Sequence, residues 1–218
     1  MIFWDLPIDR PENRVGVRLL GWTNLFITRI FHSLTILRMP KLPRVGPAIL
    51  VCNHTSGLDP LFIQACLPRL VIWMMAREYY DIKLLRWVYR TIEAIPVERS
   101  GRDMAATRSA LRALKNGRVL GIFPEGRIPD TPGMLPFQTG VALMAIKARV
   151  PVYPVYIDGT QRGKEMREAF SSPNHARVTF GPPVDFDRSS TYHEALEAAT
   201  EKIRQAINIL ANVKGAGI

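Results

Sequence analysis

The apolar run Ala48-Ile49-Leu50-Val51-Cys52 leads without a break into Asn53-His54-Thr55-Ser56-Gly57-Leu58-Asp59-Pro60. Five uninterrupted apolar residues, in part β-branched, read as a strand buried on both faces. Asp59-Pro60 reads as a helix start, with Asp as N-cap and Pro at the first helical position, where its missing N–H costs nothing. The order strand, loop, helix therefore puts His54 on a loop at a strand end, the place where α/β sheets carry their chemistry. A neutral imidazole can take a proton near neutral pH, and a carboxylate beside it can fix its tautomer and stabilise the cation that forms. Folding of the chain over five residues can bring Asp59 to His54. The plain alternative is a satisfied loop histidine and an aspartate that only caps a helix.

Outward from this stretch the pattern alternates. Strands are expected at 48–53, 71–75, 92–97, 119–123, 152–157 and 177–180, and helices at 60–67, 78–90, 103–115, 139–148 and 190–211. Such alternation predicts an α/β layered sandwich, a mixed central sheet flanked by helices. Asn116-Gly117 closes the third of these helices in the left-handed way. Pro151 and Pro154 suit an edge or a bend in a strand. The chain of 218 residues shows no internal repeat and is long enough for one well-filled core.

The beginning of the chain has a different composition. Residues 1–14 read as an irregular lead-in, and 13–37 as helical, with a break near Thr23-Asn24. Leu19, Leu20, Trp22, Phe26, Ile30, Phe31 and Leu34 are interspersed with Arg14, Arg18, Arg29 and Arg38. Trp and Phe with Arg is the composition of a helix lying in a headgroup region, its arginines reaching for phosphates. The competing reading packs the same helix on the domain's own core. Three prolines between 40 and 47 then mark a linker, so residues 1–44 are expected to form an amphipathic, membrane-associating segment and 45–218 the main domain. Arg18 and Arg29 leave only residues 19–28 free of charge, short of the roughly 20 apolar residues that a spanning helix needs.

Hydrophobic residues make up 47% and charged residues 22%, yet the net charge is +10. Such a field favours anionic membranes, phosphorylated substrates or nucleic acid. Nucleic acid is not expected, because no recognition motif is present and the aromatics are not interleaved with a basic sheet face. Cys52 and Cys66 read as small core residues in a reducing setting. Asn53-His54-Thr55 matches a glycosylation sequon, discounted because no signal peptide precedes it. His32, His175 and His193 stand alone, and no pair of histidines has metal-ligand spacing with a carboxylate, so no metal is expected. A Gly-x-Ser-x-Gly elbow is also missing.

Three further strings follow the histidine loop in order: Pro96-Val97-Glu98-Arg99, Phe123-Pro124-Glu125-Gly126, and Val150-Pro151-Val152-Tyr153-Pro154. Together with His54-x4-Asp59, over about residues 45 to 185, they make the chain resemble the glycerolipid acyltransferases typified by 1-acyl-sn-glycerol-3-phosphate acyltransferase. The resemblance implies transfer of an acyl group from acyl-CoA or an acyl carrier protein to a lysophospholipid acceptor at the cytosolic face of a membrane, by a peripheral or monotopic protein without a cofactor. It implies His54 as general base, with Asp59 orienting it. It also implies Arg99 at the acceptor phosphate, Arg77 where relatives carry Lys, and Glu125 and Gly126 at the acceptor. The third string departs from the family, continuing Arg127-Ile128-Pro129 where Thr-Arg-Ser is usual. That places Arg127 one position early and opens the choice of headgroup. Arg102 reads as a solvated charge.

Overall fold

The computed structural model describes residues 14–39, 41–99, 103–131 and 133–213. The expected lead-in over residues 1–13 and Arg102 lie outside them. The strands are β1 (Ser33–Arg38), β2 (Ala48–Cys52), β3 (Val71–Ala76), β4 (Ile95–Val97), β5 (Val119–Ile122), β6 (Val152–Asp158) and β7 (His175–Phe180). They form one sheet in the order β1-β7-β6-β2-β5-β3-β4. From β6 to β4 all neighbours are parallel, β7 runs antiparallel to β6, and β1 runs parallel to β7. The sheet is mixed, and β2 lies at its centre.

Every residue of β2 is buried, because helices cover both faces. Ile49 and Val51 point into a layer filled from α5 (Met104–Lys115), α6 (Gly140–Ala148) and α8 (His193–Ala211). Leu50 and Cys52 point the other way, against Leu58, Phe62, Ile63 and Cys66 in and around α2 (Asp59–Ala65). Cys52 and Cys66 are accordingly free and buried.

Three sequence expectations are corrected. Residues 33–37 are not helical. Helix α1 (Val15–Phe26) runs into a π-helical turn over Ile27–Phe31, His32 turns extended, and β1 follows along β7. Leu34 is buried between exposed Ser33 and Thr35, a period-two signal too short to stand out beside the apolar helix before it. The sheet thus takes its outer strand from within residues 1–44. The single helix expected over 78–90 is two short ones, α3 (Arg77–Tyr80) and α4 (Arg86–Thr91), joined by a turn. Finally, β6 is neither an edge nor bent at Pro154. It lies between β2 and β7, and Pro154 is tolerated because it sits just past the last β6–β7 residue pair, Val155 with Phe180. A short helix not foreseen from sequence, α7 (Met166–Ala169), follows β6.

Helix α1 turns a mixed side inward. Val17 and Asn24 are buried, as is Thr28 in the π-helical turn, and Asn24 Nδ2 donates to the Leu61 carbonyl at 2.9 Å, pinning the helix to α2. Val15, Leu19, Trp22, Phe26 and Ile30 are exposed. Their spacing of three to four residues makes one apolar stripe facing outward. Of the two readings of this helix, burial of the apolar face in the domain's own core is excluded for these five side chains.

Gly121 of β5 lets Trp73 of β3 lie across the sheet, since a Cβ at Gly121 would come to 2.4 Å from the indole. Gly121→Ala is expected to lower stability by about 1–3 kcal/mol through overpacking. Urea unfolding checks this; an unchanged midpoint would mean that Trp73 can shift freely.

Candidate active site

The loop between β2 and α2 is folded around one carboxylate. Asp59 is fully buried, and its Oδ2 accepts from the backbone N–H of Thr55 at 2.6 Å and of Ser56 at 2.9 Å. Because its oxygens are taken up by the loop behind it, Asp59 does not cap α2: the N-cap is Leu58, and Asp59 is the first helical residue. The hydroxyls of Thr55 and Thr160 lie 2.6 Å apart, each within about 3.2 Å of Asp59 Oδ1. Two hydroxyl protons serve these contacts, so one goes to Asp59 and the other closes the Thr–Thr bond. Burial of a charge is costly unless donors surround it, and here they do.

His54 completes the ring of donors. Its Nδ1 stands 2.9 Å from Asp59 Oδ2, a distance the sequence could only make permissible. An ionised carboxylate only accepts, so Nδ1 carries the hydrogen and Nε2 keeps its lone pair. The imidazole stacks on Phe123 with centroids 4.0 Å apart and planes 15° apart, and Phe123 stacks on Trp73 at 4.9 Å and 12°. The ring is therefore fixed at its edge by a hydrogen bond and on one face by two aromatic rings. Asn53 ties the loop to the sheet. Its side chain donates to the Ile157 carbonyl at 2.8 Å and accepts from the Ile157 N–H at 2.9 Å, extending the β2–β6 ladder by one step. Being 3% exposed, it is closed to glycosylation in the folded protein.

The same loop is held from β6 by the segment after it. The Gly57 N–H donates to the Lys164 carbonyl and the Gly163 N–H to the Thr55 carbonyl, each at 2.9 Å. A Cβ on Gly57 would lie 2.3 Å from the Met166 backbone nitrogen, so close approach of two main chains explains that glycine.

Glu125 follows β5 and is also buried. Its two oxygens accept from the backbone N–H of His54 at 2.7 Å and of Leu135 at 2.8 Å. Burial pushes its carboxyl above the ordinary glutamate range, against the lowering effect of those two N–H bonds. Gly126 turns the chain with φ of +73°, and Arg127 is exposed, 4.0 Å from Asp130. Arg77, after β3, pairs with Glu98, and Arg99, after β4, pairs with Glu78 at 2.9 Å. The two bridges are reciprocal and half-exposed. Since β2, β5, β3 and β4 are parallel neighbours, His54, Glu125, Arg77 and Arg99 all follow strands at one edge of the sheet. The structure brings His54, Asp59 and Glu125 into one hydrogen-bonded cluster and leaves Arg77, Arg99 and Arg127 bonded to other acids.

Sequence reasoning missed Thr160 and the Trp73–Phe123 stack. Asp158-Gly159-Thr160, a turn at the end of the strand beside β2, is the signal for the first. Nothing in the spacing of Trp73 and Phe123 marks the second.

A family model described as Acyltransferase matches residues 34–158. The 1-acyl-sn-glycerol-3-phosphate acyltransferase of Bacillus subtilis is 26% identical over 79% of this chain and 85% of its own length. The mouse 1-acyl-sn-glycerol-3-phosphate acyltransferase alpha is 30% identical over 65% of the chain and 51% of its own, and the N-acylphosphatidylethanolamine synthase of Arabidopsis thaliana is 30% identical over 65% and 57%. The chain thus spans most of the bacillus protein and little more than half of the other two. Among solved structures, the 1-acyl-sn-glycerophosphate acyltransferase of Thermotoga maritima superposes with a TM-score of 0.74 at 24% identity, over 98% of this chain and 86% of that one. This likeness concerns the fold.

The raised Glu125 carboxyl gives a pH prediction. A group whose folded pKa lies above its unfolded one contributes stability that is complete below the unfolded value and is lost as pH rises through the folded value. Stability of the protein relative to Glu125→Gln, which cannot titrate, is therefore expected to fall as pH rises through and above the ordinary glutamate range. Urea unfolding across that range checks it, and a rising difference would mean that the two N–H bonds outweigh burial.

Proposed function

The chain belongs to the acyltransferase family, and we propose that it moves a fatty acyl group from a thioester of coenzyme A or of an acyl carrier protein to the free hydroxyl of 1-acyl-sn-glycerol 3-phosphate, giving phosphatidic acid. The single observation that carries the reading is the His54–Asp59 pair, 2.9 Å apart with the carboxylate fully buried. In the reaction His54 Nε2 accepts the proton of the acceptor hydroxyl as its oxygen attacks the thioester carbonyl. The imidazolium then returns that proton to the departing thiolate. Asp59 holds the ring and stabilises the cation in between. The nucleophile belongs to the substrate, so no acyl-enzyme is needed.

Arg99 and Arg77 are the proposed ligands of the acceptor phosphate. Their present partners, Glu78 and Glu98, hold them in half-exposed ion pairs of a kind worth about 0–1 kcal/mol. A phosphate that accepts from both guanidinium forks can displace such partners. Glu125 contributes by fixing the His54 main chain, and Gly126 and Arg127 line the acceptor side. The reaction is placed at the cytosolic face of a membrane, with the outward apolar stripe of α1 in the bilayer interface and the net charge of +10 favouring anionic lipid. Among the described residues no helix is long and apolar enough to cross a bilayer.

A second reading keeps the chemistry and changes the acceptor to another lysolipid, such as a lyso-ornithine lipid or glycolipid. The observation that favours it is Arg127, exposed and drawn toward Asp130, in a motif whose usual Thr-Arg-Ser is absent. Chemistry and acceptor separate in one experiment: thioester turnover with lysophosphatidic acid or lyso-ornithine lipid, by the wild type and by His54→Ala. Loss of the general base is expected to lower turnover about 10²–10⁴-fold with vesicle binding retained. Turnover with lyso-ornithine lipid alone moves the acceptor to the second reading. Full activity in His54→Ala removes His54 as the general base, whereas no turnover by the wild type while vesicles are bound favours a non-catalytic basic membrane- or RNA-binding protein.

A further inference from the structure

A second apolar surface flanks α1. The turn between α3 and α4 and the start of α4 expose Ile82, Leu84 and Trp87, with Leu84 79% and Trp87 59% accessible. Exposed large apolar side chains grouped in this way mark an interaction surface. Lys83, Arg86 and Arg90, interleaved with them, are exposed too, and Asp81 is the one acidic residue of 81–90.

The segment that carries this patch packs against the first turn of α1. Thr91, one turn beyond Trp87 on α4, donates its hydroxyl to the Trp87 carbonyl at 2.8 Å. Thr91 in turn packs on Gly16 of α1, where a Cβ would meet its methyl at 3.2 Å. Arg14, just before α1, pairs with Glu93, just after α4, at 2.9 Å. Val15, the first exposed residue of the stripe, is therefore next to the helix junction that Trp87 approaches from the other side. Leu84 lies in the turn before α4 and Trp87 in its first turn, so the exposed apolar residues of this segment lie on an element that packs against the start of α1, whose own stripe runs on to Ile30.

We infer that the α3–α4 segment is a second membrane contact, seated by Leu84 and Trp87 in the interface of an anionic phospholipid bilayer with Lys83, Arg86 and Arg90 at its phosphates. The inference rests on the reading that α1 lies in that interface. It adds a geometric constraint. A single apolar stripe along one helix resists rolling about the helix axis only weakly, and a domain attached to that helix rolls with it. A contact off that axis stops the roll. The segment begins directly after β3, at the sheet edge that carries His54, Arg77 and Arg99, so the second contact holds that edge at a fixed attitude to the lipid. Trp and Leu among basic side chains have the composition that interfaces select, one part apolar and one part charge attraction to anionic headgroups.

The test uses phosphatidylcholine vesicles containing roughly one-third phosphatidylglycerol. Leu84→Ser/Trp87→Ser is expected to lower partition about tenfold, with the thermal midpoint and thioester turnover on detergent-micelle acceptor both preserved. Partition within about twofold of the wild type overturns the inference. Leu19→Ser/Phe26→Ser separates it from the reading beneath it: if this variant alone keeps full partition, α1 is not the anchor and that reading fails. Should the first variant unfold, a fluorophore on Leu84→Cys decides, the native Cys52 and Cys66 being buried. Quenching of that fluorophore by nitroxide lipid supports the contact, and no quenching with vesicles bound overturns it.

Discussion

A fully buried carboxylate with nothing but donors around it is the constraint that the strand-end loops of this molecule depend on. Asp59 gathers the backbone N–H groups of Thr55 and Ser56, a hydroxyl proton from the Thr55–Thr160 pair, and the His54 ring. Three come from consecutive residues of the loop after β2 and Thr160 from the loop after β6, and the charge is tolerable only when all are present. The loop after β2, the first turn of α2 and the loop after β6 are thus fixed relative to one another by one electrostatic requirement. That is why the His54 imidazole comes ready oriented. Ordering the ring is done by the fold, before any substrate arrives.

The rest of the sheet serves this arrangement. Parallel order from β6 to β4 delivers successive strand ends to one edge, and Glu125, on the strand next to β2, holds the His54 main chain by its own buried oxygen. The Trp73–Phe123 stack, drawn from the two strands beyond β2, closes one face of the imidazole. Gly121 is needed for that stack and Gly57 for the approach of the β6 loop. One glycine lies on β5 and the other in the loop after β2, and they have the same effect: they bring neighbours close enough to leave the histidine little freedom.

Much of this was legible in the sequence, because the signals are local. The buried run of β2, the loop after it, and the His54–Asp59 spacing sit within thirteen residues, and the alternation of strands and helices predicted the layers. Two kinds of feature stayed hidden. Partners far apart in the chain were one: Thr160 meets Asp59 across 101 residues, and no periodicity reports such a contact. The other was direction. Sequence marks α1 as amphipathic but does not say which side is inward, and here Asn24 and Thr28 are buried while the large apolar residues face out. β1 was masked for a related reason, as six residues of mixed polarity directly after a strongly apolar helix read as its continuation.

The pairing of β1 with β7 has a consequence for the order in which the chain acquires structure. Ser33 lies beside His175, so β1 has no partner until nearly the whole chain has been made. Pairings of such long sequence separation form late, since closing the intervening chain must be offset by contacts that already exist. The exposed apolar stripe that begins on α1, by contrast, lies wholly within residues 15–30 and is made long before β1 finds its partner. A chain emerging from the ribosome therefore carries that apolar stripe well before its sheet can close. The last strand to pair then docks the finished domain onto a segment made much earlier.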